Sequence, residues 1–347
     1  MTIPQLQSEV SGDPPNGDDS SQEEKRSDDL TLPRRDPQRK DTPLSRFTLP
    51  NGLEVYQQGA TQTNIVYAEV FEAQIYLQYD IALPAQACIF DVGAHIGLFS
   101  LFAHQRQSDI RIFAFEPAST SYQALCKNLS LHNVQATALN YGLSSTSSIL
   151  PFVFFPYMSG MSGLFADPQK EKEAFKAGIR HWMQEDELEP ILACDLDKLI
   201  ETFFAQSSKP MCQFKTLSEA IHENNVEHID LLKIDVEGNE FEVLKGVQEQ
   251  DWPKIEQVVA EIHSRSLLDQ VIRHLVERGY TITIEVEEGD ILERFEVEGG
   301  YRLYMLYARQ GKQATYGEIR TVYKHRYHKS PQELADLLQL DSEQQQM

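Results

Sequence analysis

Long apolar runs are missing from this 347-residue chain. No stretch approaches the roughly 18 uninterrupted apolar residues of a membrane-spanning helix. The start, Met1-Thr-Ile-Pro-Gln5, has neither a basic segment nor an apolar run, so no secretory signal is expected. Cysteine is scarce. The four present, Cys88, Cys126, Cys194 and Cys212, form no Cys-x-x-Cys pair. Three sit among apolar neighbours, so buried thiols are expected and a disulfide framework is not. Positive charge is also short: 31 Lys and Arg face 53 Asp and Glu, a net charge of -22. That field repels phosphate backbones and argues against nucleic acid as the main partner. A soluble cytoplasmic protein without a membrane partner is the expectation.

What is present suffices for a sizeable core, with 41 % hydrophobic and 10 % aromatic residues. It is unevenly spread. Residues 1–44 are rich in Ser, Asp, Glu, Pro and Arg, with almost no bulky apolar residue after Val10. They read as a disordered acidic and polar tail, which buries too little surface to offset its ordering entropy. Residues 45–310 read as the folded domain. Residues 311–347 read as a polar extension with one short helix. Ser330-Pro-Gln-Glu333 fits its start, and Leu334, Leu337, Leu338 and Leu340 form its apolar face.

Within the domain, Asn51-Gly52 between apolar flanks signals a hairpin. Residues 65–77 carry a helical pattern. Strands are predicted at 88–92, 110–115, 135–139, 229–234, 257–262, 280–286 and 301–307. Helices are predicted at 97–104, 119–132, 240–248 and 267–278. Short apolar strands alternating with helices indicate an α/β fold with a mostly parallel sheet covered on both faces. A turn near Glu288-Gly-Asp290 makes the last two strands a hairpin, so one of them runs antiparallel. A long connection separates the third and fourth main strands. It holds extra strands at 149–155 and 211–215 and a charged helical insertion, about 160–210, with Phe175, Ile179, Trp182 and Met183 on one face. A connection this long suits a lid or a substrate-selecting element, or a packed accessory helix pair. Tyr157, Met161, Trp182 and Met183 are the candidates for shaping an acceptor pocket.

The residue types with chemical potential gather at strand ends. Asp91-Val-Gly-Ala-His-Ile-Gly97 closes the first main strand with a glycine turn, and glycine permits positive φ and close backbone approach. In open parallel sheets, ligands bind beyond the carboxyl ends of the strands. Glu116 ends the second strand, about twenty residues past the turn, where a carboxylate can accept both hydroxyls of a ribose. The turn reads Gly-x-x-x-Gly, not the Gly-x-Gly-x-x-Gly that accommodates a pyrophosphate. A nucleoside carrying a sulfonium suits it better than a dinucleotide. Across the sheet, Ile229-Asp-Leu-Leu-Lys-Ile-Asp-Val-Glu-Gly-Asn-Glu240 and Glu261-Ile-His263 are expected to aim Asp235, Glu237, Glu261 and His263 at one crevice.

The ordered run of Asp91-Val-Gly-Ala-His-Ile-Gly97, Phe115-Glu116-Pro117, Asn140-Tyr-Gly-Leu143, Thr216-Leu-Ser218, Leu232-Lys-Ile-Asp-Val-Glu-Gly238 and Val243-Leu-Lys-Gly246 resembles the FkbM family of methyltransferases. Asp251-Trp-Pro-Lys-Ile255 and Val259-Ala-Glu-Ile-His263 resemble its branch from polyketide and nonribosomal peptide assembly lines. The resemblance spans residues 47–309. It implies a class I methyltransferase fold: a Rossmann-like, mostly parallel seven-stranded sheet with an antiparallel terminal strand. It implies S-adenosylmethionine as cofactor and O-methylation of a hydroxyl on a natural product, free or tethered to a carrier protein. By it, Asp91, Gly93, Ala94, His95 and Gly97 line the methionine portion, Glu116 and Pro117 meet the ribose, and Asn140 and Gly142 lie near the adenine edge. Asp235 faces the sulfonium and the acceptor. His95 departs from the family's usual Asn.

For the chemistry, His263 is the preferred general base, oriented by Asp235 or Glu261, with Glu237 beside it. The alternative is a divalent metal such as Mg²⁺ on Asp235, Glu261 and His263, lowering the acceptor hydroxyl's pKa. Two competing functions remain: an NAD-type oxidoreductase, and a silent module that binds S-adenosylmethionine without transferring a methyl group.

Overall fold

In a computed structural model of the chain, residues 44–182, 190–287, 303–311 and 319–324 are described. The tail expected up to residue 44 lies outside them save for its last residue. So do the turn at 288–290, Met183, and the helix expected from Ser330.

The Asn51-Gly52 signal forms the expected hairpin of β1 (Ser45–Thr48) and β2 (Glu54–Gln57). Gly52 takes φ +86°, which an L side chain resists, and Asn51 Oδ1 accepts from the Leu53 amide at 3.1 Å. The helical pattern starts earlier than expected, as α1 (Ala60–Tyr67), and widens into a π-helical turn over Ala68–Glu72.

Alternation then takes over. β3 (Cys88–Val92) feeds α2 (Leu98–Arg106), β4 (Arg111–Phe115) feeds α3 (Ser119–Leu131), and β5 (Ala136–Leu139) follows. Two short strands, β6 (Gly142–Leu143) and β7 (Ser148–Pro151), open the long connection. The expected insertion is a pair of helices, α4 (Pro168–Trp182) and α5 (Pro190–Ala205), and β8 (Met211–Lys215) closes it. Strands β6, β8 and β7 form a small separate sheet. The chain returns through α6 (Leu217–Glu223), β9 (Leu231–Ile234), α7 (Glu240–Lys245), β10 (Gln257–Ile262), α8 (Arg265–Val276), β11 (Tyr280–Glu287), β12 (Tyr304–Gln310) and β13 (Ile319–Lys324). Caps mark two of these starts. Thr216 and Glu219 form a reciprocal capping box on α6, and Ser264 Oγ accepts from Leu267 N on α8.

The main sheet has the order β13-β11-β12-β10-β9-β3-β4-β5. All its pairs are parallel except those of β12, which runs antiparallel to β10 and β11. Seven of these strands reproduce the class I methyltransferase arrangement, reversed strand included. The eighth, β13, was not expected. It lies in the stretch read as a polar extension and pairs with β11 at the sheet edge. Ile319 on it is 51 % exposed. An edge strand is held by backbone hydrogen bonds and needs no buried face, so hydropathy does not announce it.

Pleating splits the core in two. Phe90, Val92, Phe113, Phe115, Val258, Ala260 and Ile262 turn to one face, against Leu244, Leu268 and Val271. Ile89, Ile112, Leu231 and Val259 turn to the other, against Leu98, Leu101 and Leu125. Each of the Val, Leu, Ile and Phe side chains among them contributes about 1.5–3 kcal/mol relative to exposure. Chain order reverses between β3 and β9: successive strands go outward on one side as β4 and β5, and on the other as β10. Such a reversal opens a crevice at the carboxyl ends of the strands.

Candidate active site

The turn after β3 sits at that crevice, and its backbone conformation follows from the glycines. Gly93 has φ +78°, and a Cβ there would lie 1.7 Å from the Asp235 carbonyl oxygen. No larger residue fits. Gly97 has φ +92°, and its missing Cβ leaves room for Leu125. The amides of Gly93 and Ala94 both donate to the Phe115 carbonyl, at 3.1 and 2.9 Å. The turn is thereby tied to the end of β4, which brings Glu116 alongside it.

Glu116 is buried. Its Oε2 accepts from the His95 amide at 2.9 Å and its Oε1 from the Ala118 amide at 2.8 Å. Burial pushes its carboxyl up to about 7, against the pull of those two amides. Asn140 sits half-buried and donates through Nδ2 to the carbonyls of Glu116 and Pro117 at 2.9 and 3.3 Å, fixing the strand end. His95 is held at φ +52°. Its Nε2 lies 2.6 Å from Ser159 Oγ, its Nδ1 is buried without a partner among the described residues, and burial lowers its pKa to about 4. The ring is neutral at physiological pH.

Lys233 organises the floor. It is 3 % exposed in the middle of β9, and its Nζ donates to the Gly93 carbonyl at 2.9 Å. The same ammonium lies 3.3 Å from Asp91 Oδ1, 3.5 Å from Asp235 Oδ2 and 5.1 Å from the Tyr76 ring centroid. Burial alone would lower its pKa, but Asp91 and Asp235 outweigh it and hold the ammonium charged. Asp235 also accepts from Tyr76 Oη at 2.8 Å. Burial works to raise its pKa; Lys233, His263 and Tyr76 prevail and hold its carboxyl below the usual range.

The chain after β9 takes left-handed conformations at Glu237 (φ +53°) and Gly238 (φ +90°), which swing Glu237 and the start of α7 toward His263. The imidazole, beyond the end of β10, lies between two carboxylates. Nε2 is 3.0 Å from Glu237 Oε2 and Nδ1 is 2.8 Å from Glu240 Oε1. Glu240 is fully buried and also accepts from the Gly238 amide at 2.8 Å. Burial pushes Glu237 up to about 7. One ligand atom each from Asp235, Glu237 and His263 falls within 4.8 Å of the others. Glu171, from the first turn of α4, is buried and electrostatically coupled to His263 and Glu237.

The insertion closes over both ends of this crevice. Ser159 reaches His95, and a Cβ on Gly163 would lie 2.9 Å from the Glu237 carbonyl oxygen. Tyr157 and Met161 pack against the insertion's own core of Val153, Phe155, Met158, Phe175 and Phe203. Their bulk serves that packing.

Four expectations need correction. Asp91 does not present its carboxylate to the crevice: it is fully buried and engages Ser100 Oγ (2.7 Å) and Lys233. It positions the turn from beneath. Gly142 is buried in β6, where a Cβ would meet the Phe214 ring at 2.3 Å, so its small size serves that packing. Glu261 is buried one strand position inside β10, on the face of Val259, and is not among the three groups that converge. The carboxylate found at His263 Nδ1 is that of Glu240, where Asp235 or Glu261 was expected. Sequence reading also missed Lys233, Tyr76, Glu171 and Ser159. Only Lys233 had a local signal, a lone cation inside an apolar strand at a chemically rich end. Among the described residues no helix is long and apolar enough to cross a membrane.

Comparison with known proteins agrees with this architecture. The family described as "Methyltransferase FkbM domain" matches residues 91–282. The 31-O-demethyl-FK506 methyltransferase FkbM of Streptomyces tacrolimicus is 34 % identical over 246 residues, 70 % of this chain and 91 % of that protein. Methyltransferase sdnD of Sordaria araneosa is 35 % identical over 243 residues, 67 % of this chain and 87 % of its own. The AMB antimetabolite synthetase AmbE of Pseudomonas aeruginosa is 30 % identical over 269 residues, 73 % of this chain and 12 % of the synthetase.

Proposed function

Because the chain belongs to the FkbM methyltransferase family, we propose that it transfers a methyl group from S-adenosylmethionine to a hydroxyl of a small-molecule natural product, free or tethered to a carrier protein. The observation that carries this reading is the arrangement of one crevice. At one end lie the glycine turn and the buried carboxylate of Glu116; at the other, the convergent Asp235, Glu237 and His263. The name of the Streptomyces relative places its own reaction at an oxygen, which favours O-methylation here.

The residues present fit such a cofactor. In this reading ribose hydroxyls would donate to the remaining lone pairs of Glu116, whose strand end Asn140 holds in place. The turn has positive-φ glycines and no Gly-x-Gly-x-x-Gly spacing, so it suits a ligand without a pyrophosphate. Asp235, kept ionised by Lys233 and Tyr76, supplies negative charge for a sulfonium. Bound there, the cofactor would supply an electrophilic methyl carbon on a sulfonium that leaves as a neutral thioether. This chain's part is alignment, which can supply about 7–11 kcal/mol of the barrier, and management of the hydroxyl proton. Asp235, Glu237 and His263 line the end of the crevice that this reading assigns to the acceptor, with Glu240 fixing the imidazole.

Mass spectrometry of candidate hydroxylated intermediates, free and carrier-bound, tests the reading through the gain of one methyl group. Titration with NAD and S-adenosylmethionine separates the competing enzyme class, and tighter NAD binding would overturn the proposal. Binding of S-adenosylmethionine with no transfer to any acceptor would leave a silent module instead.

A further inference from the structure

The imidazole of His263 is poorly placed to act as a free base. Both of its nitrogens face carboxylates, Nδ1 at 2.8 Å from Glu240 and Nε2 at 3.0 Å from Glu237. If both nitrogens carry protons, the ring has no lone pair for an incoming proton. If one does, the other nitrogen and its carboxylate meet lone pair to lone pair, unless that carboxyl is protonated. Neither state leaves a nitrogen directed at an acceptor hydroxyl. A cation on Nε2 resolves this. Nδ1–H then donates to Glu240, and the Nε2 lone pair and the Glu237 carboxylate share the ion.

We propose that Asp235, Glu237 and His263 Nε2 form a binding site for one divalent cation, with Glu240 as the carboxylate that orients the histidine. The inference rests on the methyl-transfer reading only for the cation's use, not for its binding. Three observations carry it. The three ligand atoms lie within 4.8 Å of one another, on segments fixed by a strand end, a left-handed turn and a second strand end. The histidine's second nitrogen is held by a fully buried carboxylate, the arrangement that recurs behind metal-ligating histidines. And two buried oxygens beside the cluster, Glu240 Oε2 and Glu171 Oε2, have no hydrogen-bond partner among the described residues. Glu171 is only 9 % exposed, and it reaches this crevice from the insertion. The ammonium of Lys233 beside Asp235 is shared with Asp91.

Two carboxylates and one imidazole favour a cation of intermediate hardness such as Mn²⁺ over the all-oxygen preference of Mg²⁺. Bound there, the cation would coordinate the acceptor hydroxyl and lower its pKa. The hydroxyl proton, made acidic by the cation, would leave to solvent. This ligand set replaces the one expected from sequence, in which Glu261 stood in place of Glu237.

The test is Mn²⁺ titration of the full chain after chelation, read by calorimetry and electron paramagnetic resonance, with S-adenosylmethionine binding measured in parallel. One Mn²⁺ per chain is expected. E237Q and H263A should weaken it by on the order of a hundredfold, with folding checked by thermal melting, and H228A should leave it unchanged. The last variant controls for the surface group His228, Asp230 and Glu256, which also offers three ligand atoms. No Mn²⁺ binding by the wild type, or binding lost in H228A and kept in H263A, would overturn the site. Methyl transfer unaffected by exhaustive chelation would overturn its use. In either case, retained S-adenosylmethionine binding leaves the methyltransferase reading standing.

Discussion

The two ends of the crevice are built by different means. The end proposed for the cofactor consists of backbone and of short contiguous motifs: the turn at Gly93–Gly97, Glu116 one residue beyond β4, and Asn140 one residue beyond β5. Its contacts are mostly amides and carbonyls. The acceptor end consists of side chains drawn from distant places. Tyr76 lies before β3, Glu171 in the insertion, Glu240 at the start of α7 and His263 after β10. Backbone sites tolerate no change of shape, whereas side-chain sites tolerate shape changes and are sensitive to charge. A ligand common to a whole family suits the first design, and a variable acceptor suits the second.

The largest effect expected from this contrast is at Gly93. In Gly93→Ala the new Cβ would overlap the Asp235 carbonyl, and φ +78° is unfavourable for alanine. Turn and β9 must separate, which also breaks the Lys233 contact to the Gly93 carbonyl. S-adenosylmethionine binding should disappear in calorimetry, with a fall in melting temperature. Retained affinity would mean that the cofactor does not lie on this turn. Glu116→Gln is next. It keeps the shape and removes a charge-assisted acceptor, so affinity should fall about 10- to 100-fold, the equivalent of roughly 1.5–3 kcal/mol.

Glu240→Gln probes the other end. It preserves volume and weakens the hold on His263 Nδ1. Turnover should fall by about 10- to 100-fold, as for other residues that orient a site histidine. S-adenosylmethionine affinity and acceptor KM should stay within about twofold of wild type under the same argument, because Glu240 is buried beneath the site. A loss in KM or cofactor binding with kcat unchanged would reject this role.

A pH series separates the ends without mutation. The Glu116 carboxyl of the free protein is pushed up to about 7 by burial. Ribose hydroxyls need the carboxylate, so binding expels a proton below that pH. Affinity should climb on the order of tenfold per unit toward pH 7 and flatten above it. The stability of the free protein should move the opposite way. A carboxyl whose folded pKa is raised contributes fully below its unfolded value, and that contribution is lost as pH rises through about 7. The melting temperature of the free protein should therefore sag across a window in which cofactor affinity improves. In Glu116→Gln the affinity slope should flatten, and the stability slope should shrink to the part that Glu237, also pushed up to about 7, still supplies.

Legibility in the sequence follows the same division. The alternation of strands and helices, the hairpin at Asn51-Gly52 and the glycine turn depend on local periodicity and on glycine's conformational range, both written in neighbouring residues. Glu116 could be placed because it follows a strand by a fixed spacing. Glu240 and Glu171 could not, because nothing local separates a glutamate that turns inward at a helix start from one that faces water. Glu261 is a further case: two residues before His263 in sequence, it is buried within β10, where its charge acts on Tyr76 rather than joining the three groups that converge.

His95 joins the two ends, and its replacement carries the smallest expected effect. A histidine held at φ +52° is less at ease than an asparagine, which enters the left-handed region readily. Its buried Nδ1 also lacks a partner among the described residues, a deficit of about 1–3 kcal/mol. Against this stands one contact, Nε2 to Ser159 Oγ at 2.6 Å, which fastens the insertion to the cofactor turn. His95→Asn removes both the strain and the fastening. Stability should change by less than about 1 kcal/mol, the size of one net hydrogen bond. Cofactor affinity should hold, because the backbone amide that donates to Glu116 is retained. The change should fall on the acceptor: KM should rise severalfold as the insertion loses its tie, and Ser159→Ala should reproduce it. If His95→Asn instead weakened cofactor binding and Ser159→Ala did not, the imidazole would belong to the cofactor end and the fastening to the insertion would be incidental.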